Sequence, residues 1–282
     1  MVSQSEDVVT IGKHAATKRW VYISSSAKQE LAETLGHVPE LDEMKNILGY
    51  RGVARATMAD AGLPVPPSFT ITADACSEYM ETGELPAGMW NQTLEALEQI
   101  GRQTGKLFGD LENPLLVFIH SSPRFSMPGM MDTLLNLGLN EEMLQSSAHF
   151  TGNERFAYDT YRRFITVFSD IVMDYSREHF EEKLAELKRE EGVQTDPEVS
   201  LEGMKALVEE YKVMYREHLG EDFPTDPYTQ LELAIKAVFD SWNGARAIAY
   251  REHEGIPHDW GTAINVQTMV FGNTGALSGM GV

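Results

Sequence analysis

The chain carries one cysteine, Cys76, so neither an internal disulfide framework nor a multi-cysteine metal site can be built from it. Its surroundings, Ala73-Asp74-Ala75 before and Ser77-Glu78 after, hold no cation that would lower the thiol pKa, and Cys76 reads as inert packing. Positive charge is scarce as well. Lys and Arg total 23 against 43 Asp and Glu, a net charge of −20, which repels nucleic acid and anionic membrane alike. Neither is expected as a partner, and any phosphate site has to be a local cationic pocket in an acidic shell. No apolar run approaches the ~20 residues of a membrane span. Met1 to Asp7 carry acids and no basic segment, so no secretory signal is expected and the cytoplasm is the simplest address. The eight histidines show no pair at metal-ligand spacing, His253 and His258 being five apart around Gly255 and Pro257. There is no Gly-x-Ser-x-Gly elbow and no Walker-type Gly-Lys-Ser/Thr run.

What is present is an ordinary soluble composition, 42% hydrophobic and 23% charged over 282 residues, enough for one large domain or two smaller ones. Residues 1–18 read as a loose polar arm. Trp20 to Ile23 is a short strand, Lys28 to Leu35 a short helix closed by Gly36, and Val53 to Ala61 a helix that Gly62 and the prolines at 64, 66 and 67 terminate. Phe69 to Thr72 alternates as a strand, with Asp74 as N-cap of the helix that follows. Leu94, Leu97 and Gly101 share the face of another helix, and Asn113-Pro114 introduces the strand Leu115 to Ile119. Strand and helix therefore alternate from 20 to 140, an α/β pattern. Beyond Asn140 the periodicity is helical. Ala157, Tyr161, Phe164, Ile165, Phe168, Ile171 and Val172 form one apolar stripe, and Met204, Leu207, Val208, Tyr211, Met214 and Tyr215 form a second. Asp226-Pro227 is an N-cap and N1 pair opening a third helix, through Leu231, Ile235, Val238, Phe239 and Trp242. These Met and aromatic stripes read as core contacts. Thr262 to Phe271 alternates as a strand, Gly272 to Gly275 is a turn by composition, and a Gly-rich tail follows.

Two stretches carry chemistry. In Gly49-Tyr50-Arg51-Gly52, glycines flank an arginine before a helix, which can put a guanidinium and free N–H groups on a phosphate, although such glycines more often serve only the turn. In His120 to Thr133, a strand ends in hydroxyls, the cation Arg124 and the turn Ser126-Met127-Pro128-Gly129 before a helix-like pattern begins. Gly-turn N–H groups with Ser and Thr hydroxyls can cradle an anion. On composition alone an ordinary strand-to-helix connection is the stronger reading. With a backbone hinge near Gln267 to Val270, these pieces suffice to hold ATP, because phosphoryl transfer asks mainly for positioning and charge neutralisation.

The chain resembles the N-terminal ATP-grasp region of the pyruvate, phosphate dikinase family, which includes related PEP-utilising synthases. The matching runs are Gly62 to Thr72 (GLPVPPSFTIT), Ser126 to Leu139 (SMPGMMDTLLNLGL), Gly152 to Phe164 (GNERFAYDTYRRF), Ser241-Trp242-Asn243 with Arg246-Ala247-Ile248, and Gly261 to Asn273 (GTAINVQTMVFGN). They occur in the family's order and cover roughly 19 to 282. The resemblance implies an α+β fold: an ATP-grasp-like first lobe of mixed α/β character over 19–140, a helical insertion over 141–226, a returning helix over 227–261, and the start of an incomplete second lobe over 262–282. It implies ATP as ligand, bound by Arg51, His120, Ser121, Arg124, Ser126, Gly129, Asp132, Thr133, Gln267, Met269 and Val270. Mg2+ is expected from the family, with no metal site readable in this chain. The family transfers phosphate from ATP to a histidine on a separate domain and then to pyruvate. The missing dikinase domains, in cis or in trans, are therefore the expected partners, and the chain alone is not expected to complete the reaction.

The departures from the pattern are specific. Where the family reads Gly-Gly-Lys-Gly-Ala-Asn-Leu, this chain reads Gly49-Tyr50-Arg51-Gly52-Val53-Ala54-Arg55. Where it reads Val-Arg-Ser-Gly-Ala-Arg-Ala-Ser-Met-Pro-Gly, this chain has Ile119-His120-Ser121-Ser122-Pro123-Arg124-Phe125-Ser126-Met127-Pro128-Gly129. An arginine has become His120, mostly neutral at pH 7, and Ser122, Pro123 and Phe125 crowd the loop. A non-catalytic dikinase-like binding or regulatory module is thus the second reading. A helical interaction protein exposing residues 150–226 is a third, with little beyond amphipathicity behind it.

Overall fold

The computed structural model describes residues 18–144 and 153–270. The expected N-terminal arm (all but residue 18), the turn at Gly272 to Gly275 and the Gly-rich tail lie outside the described residues. One five-stranded sheet organises the molecule: β1 (Val21–Ile23), β2 (Ser68–Ile71), β3 (Val117–Ser122), β4 (Thr133–Leu137) and β5 (Ala263–Thr268), in the order β1-β2-β5-β3-β4. Every neighbouring pair is antiparallel. The sheet does not follow the order of the strands in the chain, because β5 arrives from far along it and separates β2 from β3. That strand, with which a second lobe was expected to start, lies instead in the middle of this sheet, hydrogen-bonded on both sides.

Period-two alternation makes the two faces of the sheet chemically different. Val21, Ile23, Phe69, Ile71, Val117, Ile119, Ile264 and Val266 join the main hydrophobic core. The positions between them, Tyr22, Thr70, Phe118, His120, Ser122, Asn265 and Gln267, make a largely polar opposite face. All six residues of β5 are buried, so both faces are covered. The apolar side meets α3 (Ala73–Thr82), α4 (Met89–Thr104), α5 (Glu154–Val172) and α8 (Pro227–Asp240), whose Cys76, Leu97, Phe164 and Ile235 enter the same core. The polar side is covered by α1 (Ala27–Leu35) and α2 (Leu41–Asp60), which enclose a smaller cluster of Tyr22, Leu31, Met44, Leu48 and Val53. Thr72, and not Asp74, occupies the N-cap of α3, leaving Asp74 in the first turn.

The segment after Met127-Pro128-Gly129 is a strand and not a helix. β4 returns along β3 with His120 opposite Thr133, so 123–132 is a hairpin connection. Leu134 pairs with Ile119 and Leu137 with Val117, three residues against two, so β4 carries one extra residue. Asn136 takes φ 61° within that bulge. Both leucines thereby reach the core, and the spacing of three that looks helical belongs to the bulge. The helical region comprises α5, α6 (Arg177–Glu191) and α7 (Leu201–Leu219), and shares the main core through Tyr161, Phe180 and Tyr211. Asp226 caps α8 by accepting from the Thr229 N–H at 2.8 Å, with Pro227 at N1. A last helix, α9 (Ala245–Glu254), leads back to β5.

Candidate anion-binding site

The site is built where α2 crosses the polar face of the sheet. Gly49 breaks α2 with φ 67° and ψ 173°, a conformation essentially restricted to glycine. A Cβ there would stand 1.6 Å from the Ser122 carbonyl oxygen, so the helix can lie on the end of β3 only with glycine at this position. The break frees N–H groups at the start of the second half of the helix, and β3 with the residue after it takes them up. Pro123 O accepts from Tyr50 N at 3.0 Å, while Ser122 Oγ accepts from Arg51 N at 3.1 Å and Gly52 N at 3.2 Å and donates to Leu48 O. The free backbone donors expected at this turn are therefore already engaged, and side-chain charge is what remains for a ligand.

That charge is concentrated. Arg51 and Arg55, one helical turn apart on α2, both reach the ring of His120. Arg51 Nη1 contacts Nδ1, and Arg55 Nη2 stands 3.2 Å from Nε2. Arg55 Nε donates to Gln267 Oε1, and Arg51 Nε donates to the Tyr50 hydroxyl at 2.6 Å. Among the described residues, no carboxylate is ion-paired with Arg51, Arg55 or Arg124. Burial, followed by the charge of Arg51, lowers the Arg55 pKa to about 10, so it remains cationic at neutral pH. Burial, then Arg55 and Arg51, push His120 down to about 3, against a smaller pull from Asn265. His120 is neutral throughout the physiological range. Asn265 sits on β5 directly opposite His120. Its Nδ2 donates to Thr70 Oγ1 at 2.9 Å, and its Oδ1 is buried without a hydrogen-bond partner.

Of the sequence-derived candidates, Arg51, His120 and Gln267 converge in this cluster, with Arg55 as the link between the last two. Ser121 is buried on β3, opposite Ile264. Arg124 lies elsewhere, its guanidinium 4.7 Å from the Trp260 ring centre and 5.8 Å from that of Phe125. Phe125, Ser126, Tyr250 and Trp260 contribute to the wall of a separate cavity of about 450 Å³. Gly129 is exposed in the hairpin with φ 72°, and Thr133 is exposed at the start of β4. Asp132 is half-buried, and desolvation, only partly offset by Arg246, raises its pKa. The expected backbone hinge is largely occupied: Thr268 N donates to Pro67 O at 3.0 Å and Met269 N to Leu116 O at 2.9 Å, while Val270 is exposed. Sequence reasoning does not single out Arg55. Its spacing of four from Arg51 is the available signal, and the polar groups facing it across the helix–sheet gap are not readable.

The only full charges in the cluster are positive, with no carboxylate among them, and so it fits an anion and not Mg2+. Among the described residues no group of three or more His, Cys, Asp or Glu assembles a metal site, and no helix is long and apolar enough to cross a membrane.

Comparison with known proteins gives this arrangement its family. Residues 83–282 match the model of the pyruvate phosphate dikinase AMP/ATP-binding domain. The chain is 49% identical over 241 residues to pyruvate, phosphate dikinase of Clostridium symbiosum, covering 85% of this chain and 28% of that protein. It is 51% identical over 240 residues to the chloroplastic enzyme of Mesembryanthemum crystallinum (85% and 25%) and 44% identical over 276 residues to chloroplastic pyruvate, phosphate dikinase 1 of Zea mays (98% and 28%). The chain thus spans about a quarter of the length of the curated relatives it matches. It belongs to the pyruvate phosphate dikinase AMP/ATP-binding domain family.

Proposed function

We propose that this chain is the nucleotide-binding part of a pyruvate, phosphate dikinase-like phosphotransferase, a cytoplasmic protein that binds the polyphosphate of ATP beside α2 and β3. The observation that carries the reading is the convergence of two arginines without carboxylate partners in a chain of net charge −20. Guanidiniums held together at a cost in repulsion are stabilised by an anion, and a fork of N–H donors matches phosphate oxygens. In phosphoryl transfer such cations neutralise charge and fix the phosphates in line, while covalent chemistry falls to the acceptor. The architecture in this reading is an ATP-grasp first lobe with its helical insertion. The remaining lobe, the histidine domain and the pyruvate domain belong to the other three quarters of the relatives' length, and Mg2+ arrives with the nucleotide.

Calorimetric titration of the full chain with ATP tests this reading. Binding in the micromolar range that weakens at least about tenfold in Arg51→Met is expected from loss of one charge-assisted contact. No heat at millimolar ATP removes the reading. A second outcome is favoured by the neutral His120 and by the loop crowded by Pro123 and Phe125: ATP binds, but the other dikinase domains supplied in trans bring about no conversion to AMP. That result identifies a binding or regulatory module.

A further inference from the structure

The polar face of the sheet holds an arrangement that the family pattern does not contain. His120 projects from β3 into the gap under α2 and is almost completely buried, at 3% exposure. Each ring nitrogen faces a different guanidinium. A neutral imidazole has one acceptor nitrogen and one N–H. It can accept from one arginine only, so the other guanidinium meets the ring without an acceptor there. Arg51 and Arg55 also repel one another across the ring, and neither has a carboxylate among the described residues. Gln267 from the central strand fixes Arg55 through Nε, Nη1 donates to the Arg51 carbonyl at 3.4 Å, and Nη2 is left facing His120. Two guanidiniums are thus oriented on either side of a neutral ring, with hydrogen-bonding capacity left over.

Resting on the ATP reading above, we propose that Arg51 and Arg55 form a two-pronged clamp for the terminal phosphates of a nucleoside triphosphate, and that His120 is a positioning residue, a neutral post that orients both prongs. Both cations come from α2, one turn apart, and β3 contributes the neutral ring between them. A protonated ring would place a third positive charge between two others in a desolvated gap, which is why the post has to be neutral. The glycine at 49 is part of the device, because without the kink the second half of α2 would not lie close enough to β3 for both arginines to reach one ring.

The test uses the full chain with ATP and, as a probe without base or sugar, inorganic tripolyphosphate. Arg55→Met is expected to weaken both by about tenfold or more, the loss of a charge-assisted phosphate contact, with an unchanged melting temperature. His120→Gln keeps an acceptor and is expected within about threefold of wild type, whereas His120→Leu removes the post and is expected to lose about tenfold. Nitrogen-15 spectra of the imidazole are expected to show one protonated and one bare ring nitrogen at pH 6, with and without ligand. Unchanged ATP affinity in Arg55→Met overturns the clamp and leaves the nucleotide reading standing. Tripolyphosphate binding that depends on Arg55, with no binding of ATP, supports a polyphosphate clamp and removes the nucleotide reading. A doubly protonated ring, or equal losses in His120→Gln and His120→Leu, overturns the positioning role. A wild-type chain that binds neither compound overturns the clamp and the nucleotide reading together.

Discussion

Two regions of this molecule handle positive charge in opposite ways. In the helical region Asp196 gathers three cations: Arg162 Nη2 at 2.6 Å, Lys188 Nζ at 2.6 Å and Arg163 Nη2 at 3.2 Å, with Asp159 serving Arg162 and Arg163 from the other side. Partial burial works against the charged Asp196 carboxylate, but the bonds from Lys188 and Arg162 outweigh it and hold the pKa below the usual range. Arg162 is buried there because its charge is met. Between α2 and the sheet the side-chain hydrogen bonds of Arg51 and Arg55 go to a neutral histidine, an amide, a phenol hydroxyl and the Arg51 backbone carbonyl. The cations of the helical cluster are matched by anions of the same chain, whereas those between α2 and the sheet are, in the function proposed above, left for a ligand to match. A missing carboxylate is not by itself the mark of a site, since the fully buried Arg251 is held by the Trp242 carbonyl and His258.

Five variants and a change of pH probe this contrast. The largest effect is expected from Gly49→Ala, which puts a Cβ into the Ser122 carbonyl at a backbone conformation open only to glycine. A loss upward of about 3 kcal/mol in denaturant unfolding is expected, and a loss under about 1 kcal/mol would show that the kink is not obligatory. Next, Arg162→Met strands Asp159 and Asp196 beside the remaining Arg163 and Lys188. It is expected to cost roughly 3 kcal/mol, the low end for breaking a buried pair. Acidification gives a smaller effect per pH unit. The folded His120 pKa, about 3, lies below the unfolded value, so the unfolded chain takes the proton first as pH falls below about 6.5. Stability is then lost progressively from pH 6.5 toward 3, at roughly 1 kcal/mol per unit, and the slope difference between wild type and His120→Gln isolates it. Smallest is the stability effect of Arg51→Met or Arg55→Met. Each removes like-charge repulsion without stranding a carboxylate, and a change within about 0.5 kcal/mol is expected while anion binding falls. A loss as large as that of Arg162→Met would show that these arginines hold the fold.

Much of the fold is legible in the sequence because it is local. The stripe from Ala157 to Val172, the Asp226-Pro227 helix start and the strands at 21–23 and 68–71 follow from periodicity and capping, which depend on neighbours along the chain. The pairing of β5 between β2 and β3 is not legible. Alternation in Thr262 to Phe271 signals a strand but carries no record of its partners, which lie far earlier in the chain. The hairpin at 123–132 hides for a related reason, since the bulge sets Leu134 and Leu137 three apart and only β3 beside them reveals a strand. Of the candidate site, Arg51 and His120 stand out as oddities in an otherwise familiar pattern. Arg55 departs from the same pattern, but nothing near it in sequence marks it as facing His120 and Gln267. Nor does composition tell that the N–H groups of Tyr50, Arg51 and Gly52 are taken up by Pro123 and Ser122.

Residue order was enough to set most of the secondary-structure elements, the strongly acidic balance of charge and the family resemblance. Which groups share a site was settled by packing. It laid α2 across the polar face of a sheet whose central strand comes from the other end of the described chain, so that an arginine turn, a histidine and an amide from three distant segments meet. The physical reason is that helix and strand periods are set by adjacent residues, whereas which charges face each other without a counter-ion depends on contacts that close across the whole chain.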